Sequence, residues 1–276
     1  MRIFDSLTHI TQDGSWLGER RHDASLRTLL QQMDDNGVYR ACLVGIADYV
    51  DNEVILESAR AHPDRFVPIA GLNPRALPTI RRVEARVAEL VSQGFAGIKL
   101  HPRLNGFDAL DPKSLAVFEA AADHGLVILL DTLFRRRGLA TRNAPDTIDF
   151  IANACPETRI LLLHAAGPSM LELFEIVRAN PNLMLDFSFS IMRYAGSRLD
   201  QDMRYFFETT DQLATIGSDF PEYPLDAVVR RFQELIRGVD EQRLANITDR
   251  NPERLFASPS MARGVGTETG TRGGRP

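Results

Sequence analysis

The sequence predicts a single (β/α)8 barrel, and three observations lead there. Short apolar runs alternate with amphipathic stretches almost end to end, the pattern of repeated strand–helix units. At 276 residues the chain suits a fold that typically takes about 250. Eight strand-like and eight helix-like segments can be counted, and a doubly wound sheet of five to seven strands would leave units over.

The segments follow in order. The first strand is the run 2–7, and a helix over 24–35 is closed by the stop signal Asn36-Gly37. The second strand covers 38–46, the second helix 52–61 ends before Pro63, and the third strand covers 65–72. Helix 79–92 places Val83, Val87 and Leu90 on one face with arginines opposite. Strand four is 95–100 and helix four 113–123; strand five is 126–130, and helix five includes 148–154. Strand 159–163 precedes helix 170–179, strand 183–187 precedes helix 198–208, and strand 213–216 precedes helix 225–236. The barrel is expected over 1–257. Residues 258–276, rich in Gly, Thr and Arg without apolar periodicity, are expected to form a disordered tail.

Composition narrows the function. With 44% hydrophobic and 25% charged residues the chain reads as an ordinary soluble protein. A net charge of −5 offers no basic excess to meet phosphates, which excludes a general nucleic-acid binder. No apolar run approaches the roughly 20 residues of a membrane span, and the start MRIFDSLTHI lacks a signal-peptide pattern. A cytoplasmic protein is expected, with Cys42 and Cys155 as buried free thiols. A homo-oligomer is left open. All but two of the 32 basic residues are arginine, a coding bias that draws attention to Lys99 and Lys113.

In a barrel, chemistry gathers at the C-terminal ends of the strands. Those ends carry Asp5, Leu7 and His9 (strand one), Lys99 and His101 (four), Asp131 (five), His164 (six) and Asp219 (eight). The two-residue period puts Asp5, Leu7 and His9 on one side, and likewise Lys99 and His101. His22, His62 and His124 fall near helix ends or loops and read as solvated or capping. A lone histidine such as His164 is more often a hydrogen-bonded core residue than a ligand. Five strands converging on one rim weigh against that, because carboxylates and imidazoles together serve metal-assisted or acid/base chemistry. Arg103, Arg135 and Arg193 lie on loops after strands; each singly is an ordinary surface arginine, but Arg135-Arg136-Arg137 would make an anion clamp. The long segment 11–22, with the only tryptophan, Trp16, either lids the mouth or packs over its rim. No Walker loop, GxGxxG after a strand, CxxC or Gly-x-Ser-x-Gly elbow is present.

Several motifs point further. The run GFAGIKLHP resembles the strand-four signature of the amidohydrolase superfamily, in its decarboxylase/lactonase-type branch. CPETRILLLHAAG, NPNLMLDFS, IGSDFP and ITDRNPERLF resemble that branch's strand-six, strand-seven, strand-eight and closing-helix segments, so the likeness runs from Arg2 to Phe256. It implies a divalent metal held by His-x-His on strand one, a strand-five histidine and the strand-eight aspartate, with the strand-six histidine handling protons. Here the first of these positions is Leu7, the second His9, the strand-five position Asp131, the aspartate Asp219 and the proton-handling histidine His164.

Two ligands are thus exchanged, and three readings stay open. Zinc or manganese is held weakly by His9, Asp131 and Asp219. Or the site works without metal: Asp131 and Asp219 crowd so that one keeps a proton as general acid, and Lys99, His101 or an arginine holds the substrate anion. Or the barrel is an inactive binding or partner subunit. The expected activity is hydrolysis of a lactone, ester or amide of a small anionic metabolite, with non-oxidative decarboxylation as the alternative. Asp219, His164 and Asp131 would be catalytic, and Lys99, His101, Arg103 and Arg135 would bind substrate.

Overall fold

Eight parallel strands follow one another around a ring in chain order: β1 (Ile3–Thr8), β2 (Val38–Val44), β3 (Phe66–Gly71), β4 (Gly97–Leu100), β5 (Val127–Asp131), β6 (Arg159–Leu163), β7 (Leu183–Asp186) and β8 (Ala214–Thr215). The coordinates are a computed structural model that describes residues 1–17, 22–135 and 144–257. The ring closes because Ser6 N donates to Ile216 O at 3.1 Å and Asp219 N donates to Leu7 O at 2.9 Å. The barrel helices are α1 (Leu26–Asn36), α2 (Asn52–Ala61), α3 (Ile80–Gln93), α4 (Pro112–Asp123), α5 (Ala144–Ala154), α6 (Met170–Ala179), α7 (Leu199–Thr209) and α8 (Leu225–Leu235). The predicted (β/α)8 architecture is therefore what the chain adopts. The expected tail and the residues Arg136 and Arg137 lie outside the described residues. Among those described, no helix is long and apolar enough to cross a membrane.

Local chemistry explains the boundaries. The Ser25 and Asp51 side chains accept from backbone amides in the first turns of α1 and α2, and Gly37 ends α1 at a φ of 70° that a Cβ disfavours. His62 and His124 cap the C-terminal ends of α2 and α4, as their positions suggested. Parallel strands are covered on both faces, so β5 and β6 are almost continuously apolar, and every residue of β5 is buried. Phe4, Leu7, Val44, Ile69, Val127, Leu129, Leu161 and Leu163 fill the barrel interior. Leu255 joins that cluster from below, and Phe256 stacks on Phe4 at 6.0 Å, so the C-terminal helix Asn251–Phe256 plugs the floor. Cys42 and Cys155 are buried free thiols.

One expectation about the first strand fails. Asp5 does not share a side with Leu7 and His9. Register irregularities interrupt the β1–β2 ladder on either side of Asp5. They break the two-residue alternation, a standard consequence of a bulge. Asp5 instead borders a gap between the sheet and α8 with Ile3, Val38, Val228 and Phe232. There its Oδ1 accepts from Leu7 N (3.1 Å) and Ser218 N (2.9 Å).

Asn52, the first residue of α2, ties that helix to the upper end of β3. Its amide donates to Gly71 O at 3.0 Å and accepts from Gly71 N at 2.7 Å, completing a buried backbone group from a side chain. A methyl at Gly45 would collide with Asn52 Oδ1, which accounts for glycine there. Asn52→Ala strands both polar groups of Gly71. A loss of about 1–3 kcal/mol is expected in denaturant unfolding; unchanged stability would show that water replaces the amide without cost.

Candidate active site

The strand ends place two charged clusters at the C-terminal mouth. In the first, His9 Nδ1 donates to Val44 O at 2.6 Å, which leaves Nε2 as a lone pair. Lys99 Nζ donates to that lone pair at 3.2 Å. Asp219 Oδ1 stands 3.6 Å from the same nitrogen. At Nε2 the Lys99 donor (3.2 Å) is within hydrogen-bond reach and the Asp219 carboxylate (3.6 Å) is not, so His9 is neutral. Burial, reinforced by Lys99, lowers its pKa to about 4. Trp16 stacks on the ring at 5.2 Å and donates from Nε1 to Glu222 at 3.0 Å, so this part of the 11–22 segment packs over the rim; residues 18–21 are outside the described set.

The second cluster is built around Asp131. Its Oδ2 lies 3.4 Å from His101 Nε2 and 3.2 Å from His164 Nε2, and its Oδ1 accepts from Leu133 N at 3.2 Å. His101 Nδ1 accepts from Leu104 N at the start of the short helix Pro102–Asn105, so His101 is neutral with its proton on Nε2. Burial lowers its pKa to about 3. His164 differs, because acceptors face both of its nitrogens. Nδ1 meets Ser188 O at 3.0 Å and Ser188 Oγ at 3.1 Å, and Nε2 meets the Asp131 carboxylate. Two acceptors call for two ring protons, hence an imidazolium. Burial opposes this charge, but Asp131 outweighs burial and raises the His164 pKa.

The carboxylates follow the same logic. Burial pushes Asp131 up, yet His101 and His164 together hold it well below its ordinary value. Asp219 is lowered despite burial by His9, His164 and Lys99. Both carboxylates are thus pushed toward the ionised form, against the reading in which one of the pair keeps a proton: Asp131 faces two imidazoles, and Asp219 feels the charges of His164 and Lys99. The carboxylates that burial does raise are Asp5, to about 7, and Asp186 at the end of β7. Asp186 accepts from Ser6 Oγ at 2.5 Å and from the Ser188 hydroxyl, which in turn borders His164. Burial also lowers Lys99, against the opposing charges of Asp219, Asp131 and Asp186.

The backbone at these positions is strained. His164, Ala165, Ala166, Phe189 and Asp219 all adopt positive φ (66°, 46°, 56°, 58° and 58°), a region costing about 1–2 kcal/mol for a residue with a Cβ. Such strain concentrates at functional sites. Beside the clusters opens a cavity of about 400 Å³ lined by Arg103, Arg135, Arg193, Thr132, Leu133, Phe134, Ala166, Phe189 and Tyr194, among others. Among the described residues no carboxylate lines it, and neither Arg135 nor Arg193 forms an ion pair. Thr132 and Ala166 follow Asp131 and His164 closely in the chain, so this arginine-rich space adjoins the acid–base groups.

The candidate residues His9, Lys99, His101, Asp131, His164 and Asp219 thus meet at one mouth, all buried, and Arg103 and Arg135 line the neighbouring cavity. Sequence reasoning missed Asp186, Ser188, Phe189, Tyr194 and Glu222. The metal set does not assemble. Asp131 is turned to two imidazoles, an amine faces His9 Nε2, and Leu7 lies in the apolar interior. Among the described residues no three His, Cys, Asp or Glu side chains are grouped to hold an ion. The residues present do not fit a metal, and no step is routed through one.

A buried mouth of histidines and aspartates atop a (β/α)8 barrel defines the class. The family profile described as amidohydrolase matches residues 17–257, and the chain belongs to that family. Among proteins with curated descriptions none matches it. Solved structures share the fold at low identity. An uncharacterized TIM-barrel protein of Bordetella bronchiseptica is 18% identical with a TM-score of 0.79, over 93% of this chain and 98% of that one. A probable 2-pyrone-4,6-dicarboxylic acid hydrolase of Acinetobacter baumannii, solved with citric acid bound, is 16% identical with a TM-score of 0.68 (93% and 99%). The 2,6-dihydroxybenzoate decarboxylase of Rhizobium is 14% identical with a TM-score of 0.72 (93% and 99%).

The neutral His101 has a consequence for acid stability. Its folded pKa of about 3 lies below the ordinary 6.5. Between those values the unfolded chain binds a proton that the native site refuses, so this group's penalty grows as pH falls. In His101→Asn, which keeps an N-cap acceptor for Leu104 N, the melting temperature should decline less steeply from pH 6.5 to pH 4 than in wild type. Parallel slopes would show that His101 is charged in the native state.

Proposed function

We propose that the protein is an acid–base hydrolase that opens a lactone or ester of a small anionic molecule. The observation that carries this reading is geometric: at one mouth His164 has acceptors facing both ring nitrogens, and the buried Asp219 carboxylate shares that mouth with its pKa lowered. Environments that drive two titratable groups apart mark a base and an acid. In the step, Asp219 takes a proton from water as the water oxygen bonds to the carbonyl carbon. His164 gives its Nε2 proton to the departing oxygen as the carbon–oxygen bond breaks. Asp131, at 3.2 Å from Nε2, keeps that imidazole charged and oriented until the proton is transferred. Arg135 and Arg193, on the acid-free side, hold the substrate's carboxylate. The A. baumannii protein is a probable hydrolase of a dicarboxylic acid, which agrees with such a grip.

A second reading draws on the same arginines. Non-oxidative decarboxylation needs a gripped carboxylate and a proton for the carbon that loses CO₂, and His164 can deliver that proton. The Rhizobium relative is a decarboxylase.

A panel of carboxylated lactones, esters and aromatic acids separates the two by product: ring-opened acid, or CO₂. On an active lactone or ester, Asp219→Asn and His164→Gln should each lose about 10²–10⁴ in kcat, as removal of a general acid or base does. Arg135→Gln should raise KM chiefly for the carboxylated substrate. Full turnover in Asp219→Asn contradicts the reading, and ligand binding without turnover across the panel favours an inactive binding subunit.

A further inference from the structure

The resemblance implies a divalent ion, and the residues do not fit one. The misfit has a definite shape. A metal ligated by the strand-one histidine would use the His9 Nε2 lone pair, since Nδ1–H is committed to Val44 O. Lys99 Nζ stands 3.2 Å from that lone pair, with the Asp219 carboxylate 3.6 Å from the same nitrogen. Lys99 is 2% exposed, so its amine has no solvent to turn to. Leu7, two residues before His9, withdraws the other nitrogen ligand into apolar packing. The residue type also fits the task. In a chain that otherwise uses arginine almost exclusively, this position carries a compact ammonium, which replaces a point charge in a way that a planar guanidinium does not.

We propose that the Lys99 ammonium is a built-in substitute for the metal ion: it occupies the lone pair of His9, neutralises Asp219, and thereby keeps divalent cations out of the site. The proposal does not depend on whether the reaction is hydrolysis or decarboxylation. Leu7 alone would leave a weakened metal site; Leu7 together with Lys99 leaves none.

Four full-length proteins test it: wild type, Leu7→His, Lys99→Met and the double variant Leu7→His/Lys99→Met. Each is equilibrated with zinc, freed of excess ion, assayed for metal per chain, and titrated by calorimetry. Wild type and Leu7→His are expected to retain no stoichiometric zinc. The double variant is expected to hold one zinc per chain through His9, Asp219 and the new histidine, at least about 100-fold tighter than Leu7→His alone. Asp219→Asn in that background should abolish the binding. The proposal is overturned if Leu7→His binds zinc as tightly as the double variant, because the ammonium then excludes nothing. It is overturned equally if wild type retains one zinc per chain, or if a folded double variant binds no better than its parent. Should Lys99→Met be too unstable to measure, Lys99→Leu, neutral and with no donor for the His9 lone pair, replaces it in the same comparison.

Discussion

A carboxylate buried away from bulk water must be matched by charge or by donors, and the mouth of this barrel is organised around two that are. Asp131, fully buried, sits between two imidazole Nε2 atoms. Asp219, 8% exposed, is balanced by the charges of His164 and Lys99. Breaking one side of such a pairing leaves an uncompensated buried charge, the costliest kind of defect. The histidine states follow from this constraint. His164 is charged because acceptors bracket it, whereas His9 and His101 are neutral because each has a donor on one side. Three chemically identical rings therefore do three different things within one pocket.

The barrel makes the pairing rigid. Parallel strands deliver successive side chains to a common rim, and the apolar interior beneath them excludes water that would otherwise screen the charges. Left-handed backbone at His164 and Asp219 turns both groups across the mouth at an energetic cost that the surrounding ladder sustains. Asp186 belongs to this scaffold. Through the Ser188 hydroxyl it anchors the group that Nδ1 of His164 faces, and so stands one step behind the acid.

Much of this was legible in the residues. Runs such as VILLD and RILLL announce covered parallel strands, and α2 falls over residues 52–61 as its capping Asp51 and following Pro63 require. Reading the polar residues at strand ends found six members of the mouth. The same reasoning extended to β7 would have reached Asp186, which closes the strand just as Asp131 closes β5. Other features were not accessible to periodicity. The displacement of Asp5 stems from irregular pairing with β2, a property of two strands rather than one. The bond from Trp16 to Glu222 spans 206 residues of sequence. The separate charging of Asp131 and Asp219 depends on which imidazole nitrogen faces which oxygen. Spacing placed the two carboxylates at one mouth and so suggested a shared proton; orientation gives each its own counterpart.

The protonation of the histidines is the point on which the chemistry turns, and it can be observed directly. Nitrogen-15 NMR of the full chain labelled at its histidine rings, with the six residues assigned by single substitutions, reports each ring's protons at neutral pH. His164 is predicted to carry protons on both nitrogens, His9 on Nδ1 alone and His101 on Nε2 alone. A neutral His164, or a charged His9, would contradict the assignment of acid and base at this mouth.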